Sequence, residues 1–167
     1  RRAGVLLHLT SLPGPGPCGS LGPEAHRFAS FLADSGVSVW QMLPVGPTQI
    51  DGSPYQTSSA HAGNPLLIAL EPMLEKAWLR EAPGDDSAAS KLAALRESWA
   101  GFASGAEAQD RNELDRFIRG NTYWLEDYAL FRVLREEQGT CWSAWPEPLR
   151  HRQPEALQHA RERLAAD

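Results

Sequence analysis

Two short apolar runs on either side of an amphipathic stretch constrain the fold of this 167-residue sequence more than any other feature. AGVLLHL, Ala3 to Leu9, is apolar up to His8, as a strand buried on both faces requires. Pro23 to Asp34 has the marks of a helix. Pro23 takes the first helical position, Glu24 suits the positive end of the dipole, and Ala25, Phe28, Ala29 and Leu32 recur at i, i+3, i+4 and i+7. Gly36 supplies the stop. Val37 to Leu43 is the second apolar run. Strand, helix and strand make a βαβ unit, so the strands are expected to be parallel with the helix on one face. Their carboxyl ends then point the same way, and His8 shares a rim with the loop that follows Leu43.

Ligands of α/β proteins are usually held by loops that leave the carboxyl ends of strands. The rim loop carries Asp51, Ser53, Tyr55, Gln56, Ser58, Ser59, His61 and Asn64. Hydroxyl and amide groups around an aromatic plate suit a sugar, whose faces are apolar and whose edges are hydroxyls. Ser58, Ser59 and His61 are expected to close turns. Tyr55, behind Pro54 in a loop too long to be punctuation, is expected to bind. For His8 two roles stand side by side: a hydrogen-bonded core histidine, or a functional group at the end of a buried strand.

Gly14, Gly16 and Gly19 satisfy G-x-G-x-x-G between a strand and a helix, which admits a dinucleotide. Three features weigh against it. Pro13, Pro15 and Pro17 lack amide N–H groups, the helix starts beyond Gly22, and no acidic residue ends the next strand. A stiff connecting loop is the plainer reading, and no cofactor is assigned. With 16 Lys and Arg against 21 Asp and Glu and no basic stripe, a nucleic-acid surface is not expected. Nor is a membrane span or a signal peptide. Cys18 and Cys141 stand far apart without metal spacing, which fits free thiols in a cytoplasmic protein and no metal site.

Beyond Leu70 the periodicity is helical. Leu92, Leu95, Trp99 and Phe102 mark one stripe, Leu114, Phe117 and Ile118 another, then Trp124, Leu125, Tyr128, Phe131 and Leu134, and last Leu157, Ala160 and Leu164. Residues 84–90 read as a flexible polar connector, and Gly105 and Gly120 break the pattern. The stripe at Trp124, Tyr128 and Phe131 is expected to be core, and Trp142 and Trp145 to pack on helices or to stack on a ligand. Residues 1–72 therefore form an α/β part with a binding loop, and residues 73–167 a mainly helical subdomain.

At this point long motifs match a family. HLTSLPGPGPCGSLGPEA from His8, WQMLPVGPTQIDGSPYQTSSAHAGNPLLI from Trp40, WLEDYALFRVLREEQG from Trp124 and WSAWPEPLRHR from Trp142 resemble the amylomaltases, 4-α-glucanotransferases of the α-amylase superfamily. The resemblance covers most of the chain and is weakest between Glu81 and Asn121. It implies the first part of a (β/α)₈ barrel with an inserted helical subdomain. It also implies transfer of α-1,4-glucan segments between maltooligosaccharides with retention of configuration. An Asp attacks, a Glu protonates the departing sugar, and a second Asp assists.

Retaining chemistry needs two carboxyl groups about 5 Å apart. Asp51 and Glu71 are isolated, so no catalytic residue is assigned to this chain, and the acids are expected on later barrel strands. The resemblance places Tyr55 against the glucose ring at the cleavage point, with Ser53 and Gln56 as polar neighbours and His8 and Asn64 bracing the loop and strand ends. Where the family often reads G-D-S-P-Y-Q, this chain has Asp51-Gly52-Ser53-Pro54-Tyr55-Gln56. The second reading is a non-catalytic carbohydrate-binding or helical interaction module. Oligomeric state is left unassigned.

Overall fold

The structure is a computed structural model that describes residues 2–49 and 51–165; Ile50, inside the rim loop, lies outside the described residues. The chain forms two compact units, Arg1–Asn112 and Glu113–Asp167.

In the first unit β1 (Gly4–Leu6) pairs in parallel with β2 (Val39–Gln41), with Gly4 opposite Val39 and Leu6 opposite Gln41. Helix α1 (Pro23–Asp34) connects them, with Gly22 before it and Pro23 at its start as the sequence predicts. Both strands are shorter than the apolar runs. After Leu6 the chain turns into a single 3₁₀ turn at Leu9–Ser11, because the His8 ring accepts the Thr10 N–H and caps it. Nor is β1 buried on both faces: Leu6 is 60% exposed, and Val39 on β2 is exposed too. A run of Val and Leu fits a central strand, but among the described residues these two strands have only each other as partners.

The core lies instead under the carboxyl ends of the strands, where Leu9, Leu12, Ala25 and Leu67 are buried with Leu7, Cys18, Phe28 and Trp40 packed against them. Each fully buried leucine contributes about 1.5–3 kcal/mol relative to exposure. Trp40 ties the layers together. Its indole N–H donates to the Leu7 carbonyl at 2.8 Å, and its ring meets Phe28 edge-on, centroids 4.9 Å apart.

Helix α2 (Glu71–Glu75) is short, and α3 (Ala88–Gly105) is long. The buried face of α3 is not the stripe its apolar residues mark. Leu92 and Leu95 are half-buried and Trp99 is 60% exposed. Lys91, Ala94 and Ser98 are buried, and Gly101 continues their spacing. The reason is steric: a Cβ on Gly101 would stand 2.1 Å from the Trp78 carbonyl oxygen. Small side chains let the helix approach backbone that a leucine face would hold off, and hydropathy does not register such a face. The stretch before α3 is also built rather than loose. Asp85 accepts the Ser87 N–H and the Ser90 hydroxyl, and the Ser87 hydroxyl accepts the Ser90 N–H as the helix cap.

Helix α4 (Ala108–Gly120) has no buried residue; Phe117 and Ile118 of its expected stripe are exposed. The second unit holds α5 (Leu125–Gln138), α6 (Glu147–Arg150) and α7 (Pro154–Arg163). Leu130, Leu134, Trp145 and Ala160 are its buried centre, with Phe131, Leu149, Leu157 and Leu164 around them. The two tryptophans of the Pro-bounded loop separate: Trp145 is buried with its indole N–H on the Thr140 carbonyl, and Trp142 is exposed. Trp124, Tyr128 and Phe131 are half-buried in a ladder that ends on Trp145. On the surface of this unit Arg163 forks onto Glu137, and Arg152 and Arg161 share Asp127.

Gly101→Ala should lower stability to urea by about 1–3 kcal/mol, the usual cost of overpacking. Gly105→Ala meets nothing within 4 Å and should be neutral or stabilising, by up to about 1 kcal/mol. The Arg163 guanidinium holds the Glu137 carboxyl below its ordinary 4.5. That stabilisation is present above the unfolded value and is lost as pH falls through the depressed one. NMR titration of the side-chain carboxyl should find Glu137 below 4.5, and Arg163→Gln should return it upward.

Candidate functional site: the cleft at the strand ends

A cleft of about 400 Å³ opens at the carboxyl ends of β1 and β2, lined by His8 and Thr10 on one side, Pro44 and Pro54 on another, and Cys18 and Asn64 on the third. His8 joins two of these walls. The Thr10 N–H and hydroxyl lie 3.4 and 2.8 Å from Nδ1, and Nε2 lies 3.2 Å from the Pro44 carbonyl. An N–H aimed at Nδ1 leaves Nε2 as the protonated nitrogen, so the ring accepts from Thr10 and donates to Pro44. The shared rim expected from the βαβ pattern is thus closed by one imidazole.

From Pro44 the loop forms a small hairpin. Thr48 and Thr57 bridge antiparallel, the Gln49 N–H donates to the Gln56 carbonyl at 3.2 Å, and the Ser58 N–H to the Pro47 carbonyl at 3.1 Å. The neck is tight. Pro47 is fully buried, and a Cβ on Gly46 would stand 2.3 Å from the Thr57 hydroxyl oxygen. At the tip Gly52 turns with φ 70° and Asp51 accepts the Ser53 N–H at 3.2 Å. Beyond the hairpin the Ser59 hydroxyl oxygen accepts the His61 and Ala62 N–H groups, the turn role expected of it. Ser58 takes part in the hairpin through its N–H, while its hydroxyl is buried without a partner among the described residues.

Asn64 fixes the third wall. Its backbone N–H reaches the Val45 carbonyl at 2.8 Å, and its side-chain oxygen accepts the Leu66 N–H at 3.0 Å, capping a 3₁₀ turn at Pro65–Leu67. The five residues singled out in the sequence therefore fall into two sets. His8 and Asn64 line the cleft and are spent on holding it together. Ser53, Tyr55 and Gln56 stand on the hairpin tip and are not part of its lining; Ser53 is half-buried, Gln56 exposed, and the Tyr55 side chain 72% exposed.

The cleft offers hydrogen bonds and apolar contact. Among the described residues no three His, Cys, Asp or Glu side chains gather as a metal site would need. Asp51 is occupied in the hairpin turn, and Glu71 begins α2. The G-x-G-x-x-G glycines have backbone reasons of their own. Gly16 has φ 102°, and a Cβ on Gly19 would stand 2.2 Å from the Leu9 carbonyl oxygen. Two contributors escaped the sequence reading. Lys91 donates to the Leu66 carbonyl at 2.6 Å, and Asp86 accepts the Gly16 N–H at 2.9 Å. Both are charged residues in a polar stretch, and nothing in their spacing points to the cleft.

A family model described as 4-alpha-glucanotransferase matches residues 7–167. This chain belongs to the 4-alpha-glucanotransferase family. The 4-alpha-glucanotransferase of Thermus thermophilus is 44% identical, over all of this chain and 35% of its own length. That of Aquifex aeolicus is 38% identical over 98% of this chain and 35% of its length. The chloroplastic/amyloplastic 4-alpha-glucanotransferase of Solanum tuberosum is 37% identical over 95% and 30%. Among solved structures, an amylomaltase from Streptococcus agalactiae in complex with acarbose superposes with a TM-score of 0.88 at 29% identity, over 99% of this chain and 36% of that one. The chain thus spans about a third of the length of the relatives it matches.

The division between bracing and exposed residues is measurable as stability. Asn64→Ala should cost about 1 kcal/mol, the ordinary loss of a helix cap. Tyr55→Ala should stay within about 0.5 kcal/mol, as surface substitutions do. Urea denaturation of the two variants compares them directly.

Proposed function

We propose that the whole protein is a 4-alpha-glucanotransferase that moves α-1,4-glucan segments between maltooligosaccharides by a retaining double displacement, with this chain supplying part of the substrate rim. Residues 1–72 are the first units of a (β/α)₈ barrel and residues 73–167 a mainly helical inserted subdomain. The attacking Asp, the acid Glu and the assisting Asp come from polypeptide outside this chain. The exposed side chains of Leu6 and Val39 support the barrel reading, because further parallel strands would cover them. Both cysteines are free, which suits a cytoplasmic protein.

One observation carries the proposal: an exposed tyrosine sits on the tip of a hairpin whose neck, turn and flanking wall are all fixed, next to a cleft at parallel strand ends. An aromatic face held rigidly in solvent has little structural work to do, and a glucose ring offers the C–H face that stacks on it. Ser53 and Gln56 beside it supply polar groups for sugar hydroxyls. His8 and Asn64 act by holding the walls at a fixed spacing, since positioning binding groups ahead of time spares the ordering cost when substrate arrives.

In the full-length protein Tyr55→Ala should lower kcat/KM for maltotriose disproportionation by about ten- to a hundredfold, a loss of about 1.4–2.7 kcal/mol. Tyr55→Phe should keep most of the rate, because the ring face remains. Release of glucose and longer maltooligosaccharides from maltotriose measures both. An unaltered rate in Tyr55→Ala removes Tyr55 from the site.

A further inference from the structure

We infer that Lys91 is a positioning residue for the cleft, holding the Leu66–Leu67 part of its lining through the Leu66 carbonyl. The inference rests on the proposed glucan reading for its functional meaning and on geometry for its substance. Lys91 lies on the buried face of α3, is 4% exposed, and donates from Nζ to the Leu66 carbonyl at 2.6 Å. Leu66 and Leu67 line the cleft. Their peptide is held in front by Asn64, and the Leu67 carbonyl accepts the Leu21 N–H at 2.8 Å. The Leu66 carbonyl itself accepts from Lys91 at 2.6 Å and, more weakly, from the Cys18 thiol at 3.9 Å.

A charge is not needed here for packing. Burying an ammonium is costly, and a methionine of similar volume fills such space at less cost. Among the described residues no carboxylate makes an ion pair with Lys91. Burial pushes its ammonium below the ordinary 10.5, with Cys18 and Glu71 nearby pulling the other way. What a lysine provides and a methionine does not is an N–H donor at the reach of a carbonyl, and the amine donates whether or not it is protonated. The turn that leads into α3 holds a second stretch of the lining. Asp86 accepts the Gly16 N–H, and Gly16 leads into Pro17 and Cys18, which line the cleft. Helix α3 and the turn before it thereby hold two stretches of the cleft lining from outside the strand–helix–strand unit.

The test is made on the full-length protein with Lys91→Met and Lys91→Gln, by amide hydrogen exchange and by maltotriose kinetics. In Lys91→Met the Leu66 and Leu67 amides should exchange about tenfold faster while those of α3 keep their protection, the effect of losing one charge-assisted hydrogen bond. KM for maltotriose should rise about tenfold with kcat within about twofold, the split expected when substrate binding loosens and the chemical step does not. Should Lys91→Met fail to fold, Lys91→Gln, which keeps a shorter polar side chain, is read by the same two measurements. Unchanged exchange at Leu66 and Leu67, unchanged KM, or loss of protection along all of α3 with kcat falling together would each overturn the assignment. If the wild-type protein itself neither binds nor transfers maltotriose, the glucan reading fails, and the exchange measurement still decides the positioning role.

Discussion

The described part of the first unit depends on how the ends of two parallel strands are tied. Parallel pairing over three residues a side is weak, and neither strand has another neighbour among the described residues. What holds the pair is at its carboxyl end. The Trp40 indole grips the Leu7 carbonyl, His8 spans Thr10 and Pro44, and Leu9 and Leu67 close the core beneath. Every wall of the cleft is an extension of that knot. The cleft is therefore not an addition to a finished scaffold; its lining includes residues that tie the strand ends together.

Local signals carried the sequence reading where the physics is local. Helix α1 could be read from Pro23, Glu24 and the apolar spacing, because helix starts and one-sided burial are written within a few residues. The parallel pairing and the common rim of His8 with the Pro44 loop followed from βαβ geometry. The reading misjudged features that depend on distant partners. The apolar runs at Ala3–Leu9 and Val37–Leu43 are longer than the strands formed, and β1 ends where His8 spends its ring capping a turn. On α3 the apolar count named Leu92, Leu95, Trp99 and Phe102, whereas the helix buries Lys91, Ala94 and Ser98, with Lys91 on the Leu66 carbonyl and Gly101 against the Trp78 backbone. A hydropathy scale weighs side chains and has no entry for backbone.

The candidate site divides the same way. The place of the cleft at the strand ends was legible from topology. The separation of bracing His8 and Asn64 from exposed Tyr55 was not, because residues with similar polar groups do both jobs. Lys91 was out of reach altogether: a lysine in a polar stretch looks like any solvated lysine until the fold brings Leu66 to it.

Gly46 sets a limit on how this loop can diverge. A Cβ there would stand 2.3 Å from the hydroxyl oxygen and 3.1 Å from the Cβ of Thr57, on the returning limb of the hairpin. The exposed side chains of Tyr55 and Gln56 can change without disturbing the scaffold, whereas a side chain at Gly46 has to displace Thr57. Over evolutionary time the hairpin behaves as an interchangeable head on a fixed stem, so descendants of this chain can alter what the tip touches far more readily than where it is held.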